Sequence, residues 1–148
     1  MTKAIYFDMD GTIANLYGVN NWLECLMNEY TKPYREAKSL VNMRELGKEL
    51  NRLQQLGYTI GIISWLARDA SDEYNNRVTT AKRNWLNKHL SAVRFDEIHI
   101  VKYGTPKHTL GNGILFDDEV RNRIEWNKVD NNIAFDVDNI IKVLRTIV

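Results

Sequence analysis

Five short apolar runs recur along the chain, and each breaks off at a polar residue. Residues 4–7 stop at Asp8, 58–63 at Ser64, 98–101 at Lys102, 114–116 at Asp117 and 133–135 at Asp136. Runs of this length, rich in β-branched and aromatic side chains, predict strands covered on both faces. The stretches between them have helical periodicity. Met43, Leu46, Leu50, Leu53 and Leu56 recur at steps of three and four, with Gly57 placed to end the helix. Val78, Ala81, Trp85 and Leu86 mark a second helix after the polar run Ser71-Asp72-Glu73, and Glu119 to Trp126 a third. Val137, Ile140, Ile141, Leu144 and Ile147 mark the last, with Asp136 or Asp138 as its N-cap.

Strand alternating with helix in this way predicts an α/β fold. Right-handed crossovers then give a Rossmann-like three-layer sandwich with a five-stranded parallel sheet. A length of 148 residues suits one domain, spanning 1–148. One helix falls outside the alternation. Asn21 with Glu24 three residues later fits a capping arrangement, Trp22, Leu23, Leu26, Met27 and Tyr30 share a face, and Pro33 follows. Residues 12–40 are therefore expected to form a small insertion with one clear helix.

Composition narrows the function classes. With 20 basic and 19 acidic residues the net charge is +1, which excludes a broadly basic nucleic-acid coat but not a local basic patch. The single cysteine, Cys25, excludes an internal disulfide framework and a Cys-rich zinc site. No apolar run approaches the roughly 20 residues of a membrane span. The apolar stretch at the N-terminus is too short for a signal peptide, so a cytoplasmic setting without a membrane partner is expected.

In open parallel sheets ligands bind outside the carboxyl ends of the strands. The polar residues that end these strands are thus the candidates for a site. Asp8-Met9-Asp10-Gly11-Thr12 is the strongest: alternation puts Asp8 and Asp10 on one side, and Gly11 permits a sharp turn away from the sheet. A calcium loop of the EF-hand type is excluded because the later acids and a preceding helix are missing. A helix or turn cap needs one acid rather than two. Asp117-Asp118 taken alone is as well read as a helix start. Facing Asp8 and Asp10, its carboxylates would repel them unless a cation sat between. The ligands are all oxygen, with neither Cys nor His, which favours Mg²⁺ over Zn²⁺.

On these residues the chain resembles the haloacid dehalogenase superfamily of phosphotransferases. Asp8-x-Asp10-Gly11-Thr12, then Ser64 after Ile62-Ile63, then a lysine, then Asp117-Asp118 follow that family's four dispersed motifs in order, each at a strand end. The order differs from a response-regulator receiver domain, where the lysine comes last. The resemblance implies that Asp8 is a nucleophile forming an aspartyl-phosphate and Asp10 a general acid and then base. Ser64 would bind a phosphoryl oxygen. Mg²⁺ would be held by Asp8, the Asp10 carbonyl and Asp117, with Asp118 helping. The motif lysine is either Lys102, at the end of the third strand, or Lys107, ten residues before Asp117. Lys107 is favoured because small phosphatases of the family place the residue in such a turn. Dehalogenases of the superfamily lack an acid at the second Asp and the ion-pumping ATPases carry Thr, so Asp10 implies phosphoester chemistry.

Specificity is expected to lie with Gly11, Thr12, Tyr17 and Trp65, whose aromatic members could stack on a base. Trp22 reads as packed on its own helix stripe. The segment Phe7 to Asn15 and the lysine-to-Asp117 spacing are similar to the 5′(3′)-deoxyribonucleotidases, which have a fuller helical cap and an acid where this chain has Asn15. The expected substrate is a phosphorylated small molecule, with a nucleotide first. A phosphatase on nucleic-acid ends, suited to an open site, is one alternative. A non-catalytic domain that binds Mg²⁺ and phosphate is the other. Asp136-Val137-Asp138 lacks the Gly-Thr turn and reads as a helix cap rather than part of the site.

Overall fold

The structure, a computed structural model, describes residues 3–148. In chain order its elements are β1 (Ala4–Phe7), β2 (Ala14–Asn15), α1 (Trp22–Met27), α2 (Lys32–Glu36), β3 (Lys38–Ser39), α3 (Met43–Gln55), β4 (Thr59–Trp65), α4 (Asp72–His89), β5 (Glu97–Val101), β6 (Ile114–Phe116), α5 (Val120–Asn127), β7 (Ile133–Phe135) and α6 (Ile140–Thr146). Five strands form one parallel sheet in the order β5-β4-β1-β6-β7. The α/β fold with a five-stranded parallel sheet is therefore the one the alternation predicts.

Period-two alternation divides the central strands between two layers. Ile5 and Phe7 of β1 face the larger core with Leu46, Leu50 and Leu53 of α3 and Ile140 and Leu144 of α6. Ala4 and Tyr6 face the opposite side with Ile63, Leu115 and the fully buried Trp126 of α5. Phe7, Phe116 and Phe135 stack across β1, β6 and β7 with ring centroids 5.1 and 5.5 Å apart. The edge strands are less covered than expected: β5 is half-buried throughout, and Ile133 of β7 is exposed.

Local signals account for both ends of α3 and the start of α4. Asn42 accepts the Glu45 N–H at the start of α3 (3.0 Å). Gly57, at φ +95°, closes that helix as predicted, with the Tyr58 N–H returning to the Leu53 carbonyl. Ser71 caps α4 by accepting the Tyr74 N–H (3.1 Å).

Five expectations are corrected. The second strand does not stop before Ser64, because pairing with β5 continues through Ser64 and Trp65. Asn21 does not cap α1: it lies at φ +59° with no side-chain bond to the helix. That helix ends at Met27, since left-handed Glu29 turns the chain and the Tyr30 N–H folds back onto the Cys25 carbonyl (2.8 Å). The insertion carries two helices rather than one, because Pro33 opens α2 in the first turn, where a missing N–H costs nothing. The ends of this segment are tied by antiparallel β2 and β3. Neither Asp136 nor Asp138 caps α6, which begins behind Asn139, and Asp136 instead accepts the adjacent Val137 N–H (2.7 Å).

Gly113 enters β6 at φ +122°, and a Cβ there would collide with the Ala4 carbonyl of β1. Strain and backbone clash act together, so Gly113→Ala is expected to cost on the order of 2–3 kcal/mol. The measurement is the melting temperature, which should fall by about 5–10 °C for a domain of this size.

Candidate active site

The chain leaves β1 for β4 and β5 on one side, then crosses back to β6 and β7 on the other. The direction of winding thus reverses between β1 and β6, the switch point at which open α/β sheets form a crevice. Asp8 follows β1 and Asp117 follows β6, each held by a strand-like hydrogen bond: Asp8 N–H to the Phe116 carbonyl (2.9 Å), Asp117 N–H to the Phe135 carbonyl (3.1 Å). The chain then curls tightly over Asp8, with the N–H groups of Thr12, Ile13 and Ala14 converging on the Met9 carbonyl. Gly11 permits this curl at φ +81°, and a side chain there would strike the Asp118 carboxylate.

One carboxylate oxygen from each of Asp8, Asp117 and Asp118 lies within 4.8 Å of the others. Thr12, almost fully buried, braces the group: its hydroxyl is 3.2 Å from both Asp8 Oδ2 and Asp118 Oδ1, and it accepts the Asp118 N–H. Burial, then the charge of Asp8, pushes the Asp117 carboxyl up to about 6. The same causes in the same order push Asp118 up to about 7. A bound cation would favour the ionised forms and so oppose both shifts.

Two buried lysines hold three of the four acids. Lys107 Nζ lies 3.0 Å from Asp8 Oδ1 and 2.7 Å from Asp117 Oδ2. Burial alone would lower its pKa, but the charges of Asp8 and Asp117 outweigh it and raise the value. Lys82 Nζ, 1% exposed, lies 3.0 Å from Asp10 Oδ2 and 2.6 Å from both Ser64 Oγ and the Trp65 carbonyl. Burial drives the Asp10 carboxyl up, and Lys82 pulls it back. When all four aspartates are ionised, the two ammonium groups leave an excess of two negative charges, which an oxygen-seeking divalent cation matches.

Above these groups opens a cleft of about 780 Å³. Asp8, Asp10, Tyr17, Trp65, Lys107 and Asp118 all line it. Tyr17 and Trp22 pack edge-on at one side (4.8 Å), and Trp65 and Tyr103 at another (4.9 Å). Trp22 lines the cleft too, on a helix with no buried residue, so it is not simply packed on its stripe. Ser64, Thr12 and Asp117 are buried and contribute none of the lining. Of the two candidate lysines only Lys107 reaches the acids; Lys102 is exposed just beyond β5. Asp136 is exposed and pairs loosely with Arg123 (3.5 Å).

Lys82 was not singled out in the sequence, although a signal was there. It falls four residues after Val78 and four before Leu86, inside the apolar stripe of α4, where an unpaired lysine would be too costly. Asn122 gave no such signal. It is buried and donates to Asp117 Oδ2 (3.2 Å), a contact set by how α5 leaves β6.

No protein-family model matches the chain, and no curated protein matches it. Solved structures do. The D,D-heptose 1,7-bisphosphate phosphatase from B. bronchiseptica, complexed with magnesium and phosphate, superposes with a TM-score of 0.58 at 12% identity, over 98% of this chain and 99% of that one. The D,D-heptose 1,7-bisphosphate phosphatase from Burkholderia thailandensis gives 0.54 at 12% identity, over 98% and 97%. These enzymes belong to the haloacid dehalogenase superfamily, and this chain shares their fold.

Proposed function

We propose that this chain is a Mg²⁺-dependent phosphomonoester hydrolase that works through an aspartyl-phosphate, with a nucleotide as its substrate. One observation carries the reading: the Asp8, Asp117 and Asp118 carboxylates converge at the β1/β6 switch point with Lys107 bridging two of them. The donor set fits magnesium, being all oxygen and two charges in excess. Asp8, Asp117, Asp118 and the Asp10 carbonyl would hold the ion, which supplies positive charge where phosphate and carboxylate meet. The magnesium and phosphate bound by the heptose bisphosphate phosphatase of the same fold support this assignment.

The remaining chemistry belongs to the side chains. An Asp8 carboxylate oxygen attacks phosphorus, and the bond to the leaving oxygen breaks as Asp10 gives that oxygen its proton. Asp10 then takes a proton from water, whose oxygen attacks the same phosphorus and releases inorganic phosphate and free Asp8. Lys107 neutralises the nucleophile as the anionic phosphate approaches. Lys82 ties Asp10 to the buried Ser64 hydroxyl and so fixes the direction of the proton donor, which lines the cleft. Residues 12–40 act as a small cap. The aromatic pairs Tyr17–Trp22 and Trp65–Tyr103 suit the flat face of a base better than a bare sugar.

Purified protein in Mg²⁺ should release phosphate from an aryl phosphate and from nucleoside monophosphates faster than from sugar phosphates. Asp8→Asn should lower kcat by about a thousandfold or more while retaining the far-UV circular dichroism of the parent. Turnover that survives Asp8→Asn would refute the aspartyl-phosphate. Release confined to sugar phosphates would refute the nucleotide.

Lys82→Met keeps the length and apolar stem but removes the charge that holds Asp10. It is expected to lower kcat about tenfold to a hundredfold with a smaller change in KM, read by steady-state kinetics on the aryl phosphate.

The raised carboxyls of Asp117 and Asp118 set a pH dependence. An acid that binds its proton more tightly folded than unfolded stabilises the fold below the ordinary carboxylate range near 4, and that stabilisation is lost as pH rises through 6 to 7. In chelator the melting temperature should therefore fall between about pH 5 and pH 8. Added Mg²⁺ should restore it most at the upper end, as thermal scans at several pH values would record.

A further inference from the structure

Beside the catalytic cleft lies a second groove of about 500 Å³. The two share Ala67, Arg68 and Tyr103 as lining, so a ligand seated at the acids can extend into it. A continuous row of contacts leads there. The Lys107 ammonium lies 5.5 Å from the Trp65 ring, Trp65 packs 4.9 Å from Tyr103, and the Arg68 guanidinium sits 5.7 Å from the Tyr103 ring.

The groove has a different electrical character from the cleft. Arg68, Lys102 and Arg121 line it from three separate parts of the chain: the segment after β4, the segment after β5, and the first turn of α5. Asp69 and Asp72 also line it, so cations outnumber carboxylates, whereas the cleft floor is dominated by aspartates. The cations are available. Arg68 pairs with Asp69 at 3.6 Å and Arg121 with Glu125 at 3.5 Å, both arginines being about three-quarters exposed. Such exposed pairs contribute little and give way to a phosphate oxyanion that a guanidinium can grip with two N–H groups. All three cations are exposed and so within reach of a ligand in the groove.

We propose that this groove is a second anion subsite, and that the substrate carries a second phosphate group besides the one removed. The inference rests on the phosphomonoesterase reading and narrows it. A second phosphate held among the cations stays clear of the carboxylates, which would otherwise repel it. Two sources present this chemistry: a nucleoside bisphosphate, or the 5′-phosphorylated end of a polynucleotide whose next phosphodiester fills the groove.

The test compares adenosine 5′-monophosphate, adenosine 3′,5′-bisphosphate and a 5′-phosphorylated oligonucleotide in Mg²⁺, with an aryl phosphate as reference. At least one of the two-phosphate ligands should have a KM about tenfold or more below that of the monophosphate, with steeper dependence on salt. In the double variant Lys102→Ala/Arg121→Ala that ratio should shrink to about threefold or less, consistent with the loss of two charge-assisted contacts. Preference for the oligonucleotide would identify a polymer as the source, and preference for the bisphosphate a small molecule. Equal KM values for one and two phosphates, with the aryl phosphate still hydrolysed, would overturn the subsite and leave the phosphatase standing. Absence of all turnover would overturn the phosphatase. Equilibrium binding of the same nucleotides to the Asp8→Asn chain then decides the subsite, since equal affinities refute it and tighter binding of two phosphates upholds it.

Discussion

Repulsion among carboxylates is the constraint around which this molecule is arranged. Asp8, Asp117 and Asp118 are brought together by two neighbouring strand ends with Asp10 beside them, and the burial of Asp8 and Asp117 strengthens the repulsion. A fold can hold such a group only with compensating positive charge nearby. Lys107 and Lys82 supply part of it from opposite directions, one from the turn before β6 and the other from the middle of α4. The remainder is the place for a cation. The uncompensated charge that makes the group costly is thus also what suits it to an oxygen-seeking divalent cation.

The parallel sheet makes this concentration possible. Each strand in such a sheet ends on the same edge, so residues far apart in sequence arrive side by side. Lys107 and Asp8 are separated by 99 positions yet lie 3.0 Å apart. The reversal of winding at β1 keeps helices from covering that edge where the two halves part. Thr12 and Gly11 complete the geometry, one by bracing Asp8 and Asp118 with its hydroxyl, the other by leaving room for the Asp118 carboxylate.

Much of this was legible in the sequence because strand ends announce themselves. An apolar run that stops at an acid gives both the strand and the direction of the acid, which is how Asp8, Asp117 and Ser64 could be assigned to one edge. What stayed hidden has physical causes. Lys82 enters the site from a helix, and a lysine at helical spacing looks like surface until the stripe around it is seen to be apolar on both sides. The two-helix insertion was underestimated because α1 and α2 are held by turns at Asn21 and Glu29 with positive φ, which side-chain propensity does not foretell. Asp136 and Asp138 suggested a cap by type alone, whereas the chain spends the Asp136 carboxylate on the very next amide.

Helix α4 joins the two regions that the sequence kept separate. Its residues Tyr74, Val78 and Ala81 pack against Leu16 and Tyr34 of the insertion, and the Trp85 indole donates to the Ala37 carbonyl (2.7 Å). Lys82 lies between these contacts and reaches Asp10 and Ser64. The Lys82 ammonium also sits 5.3 Å from the Tyr34 ring, so one aromatic residue of α2 touches the group that orients Asp10. A shift of α2 against α4 would therefore move that ammonium. By contrast α1 buries none of its residues and borders the cleft with Trp22, Leu23, Leu26 and Met27. The insertion is thus divided in its physics: α2 buries Pro33 and Tyr34 against the helix that carries Lys82, while α1 turns most of its side chains to the cleft and touches that cluster through Leu26 alone.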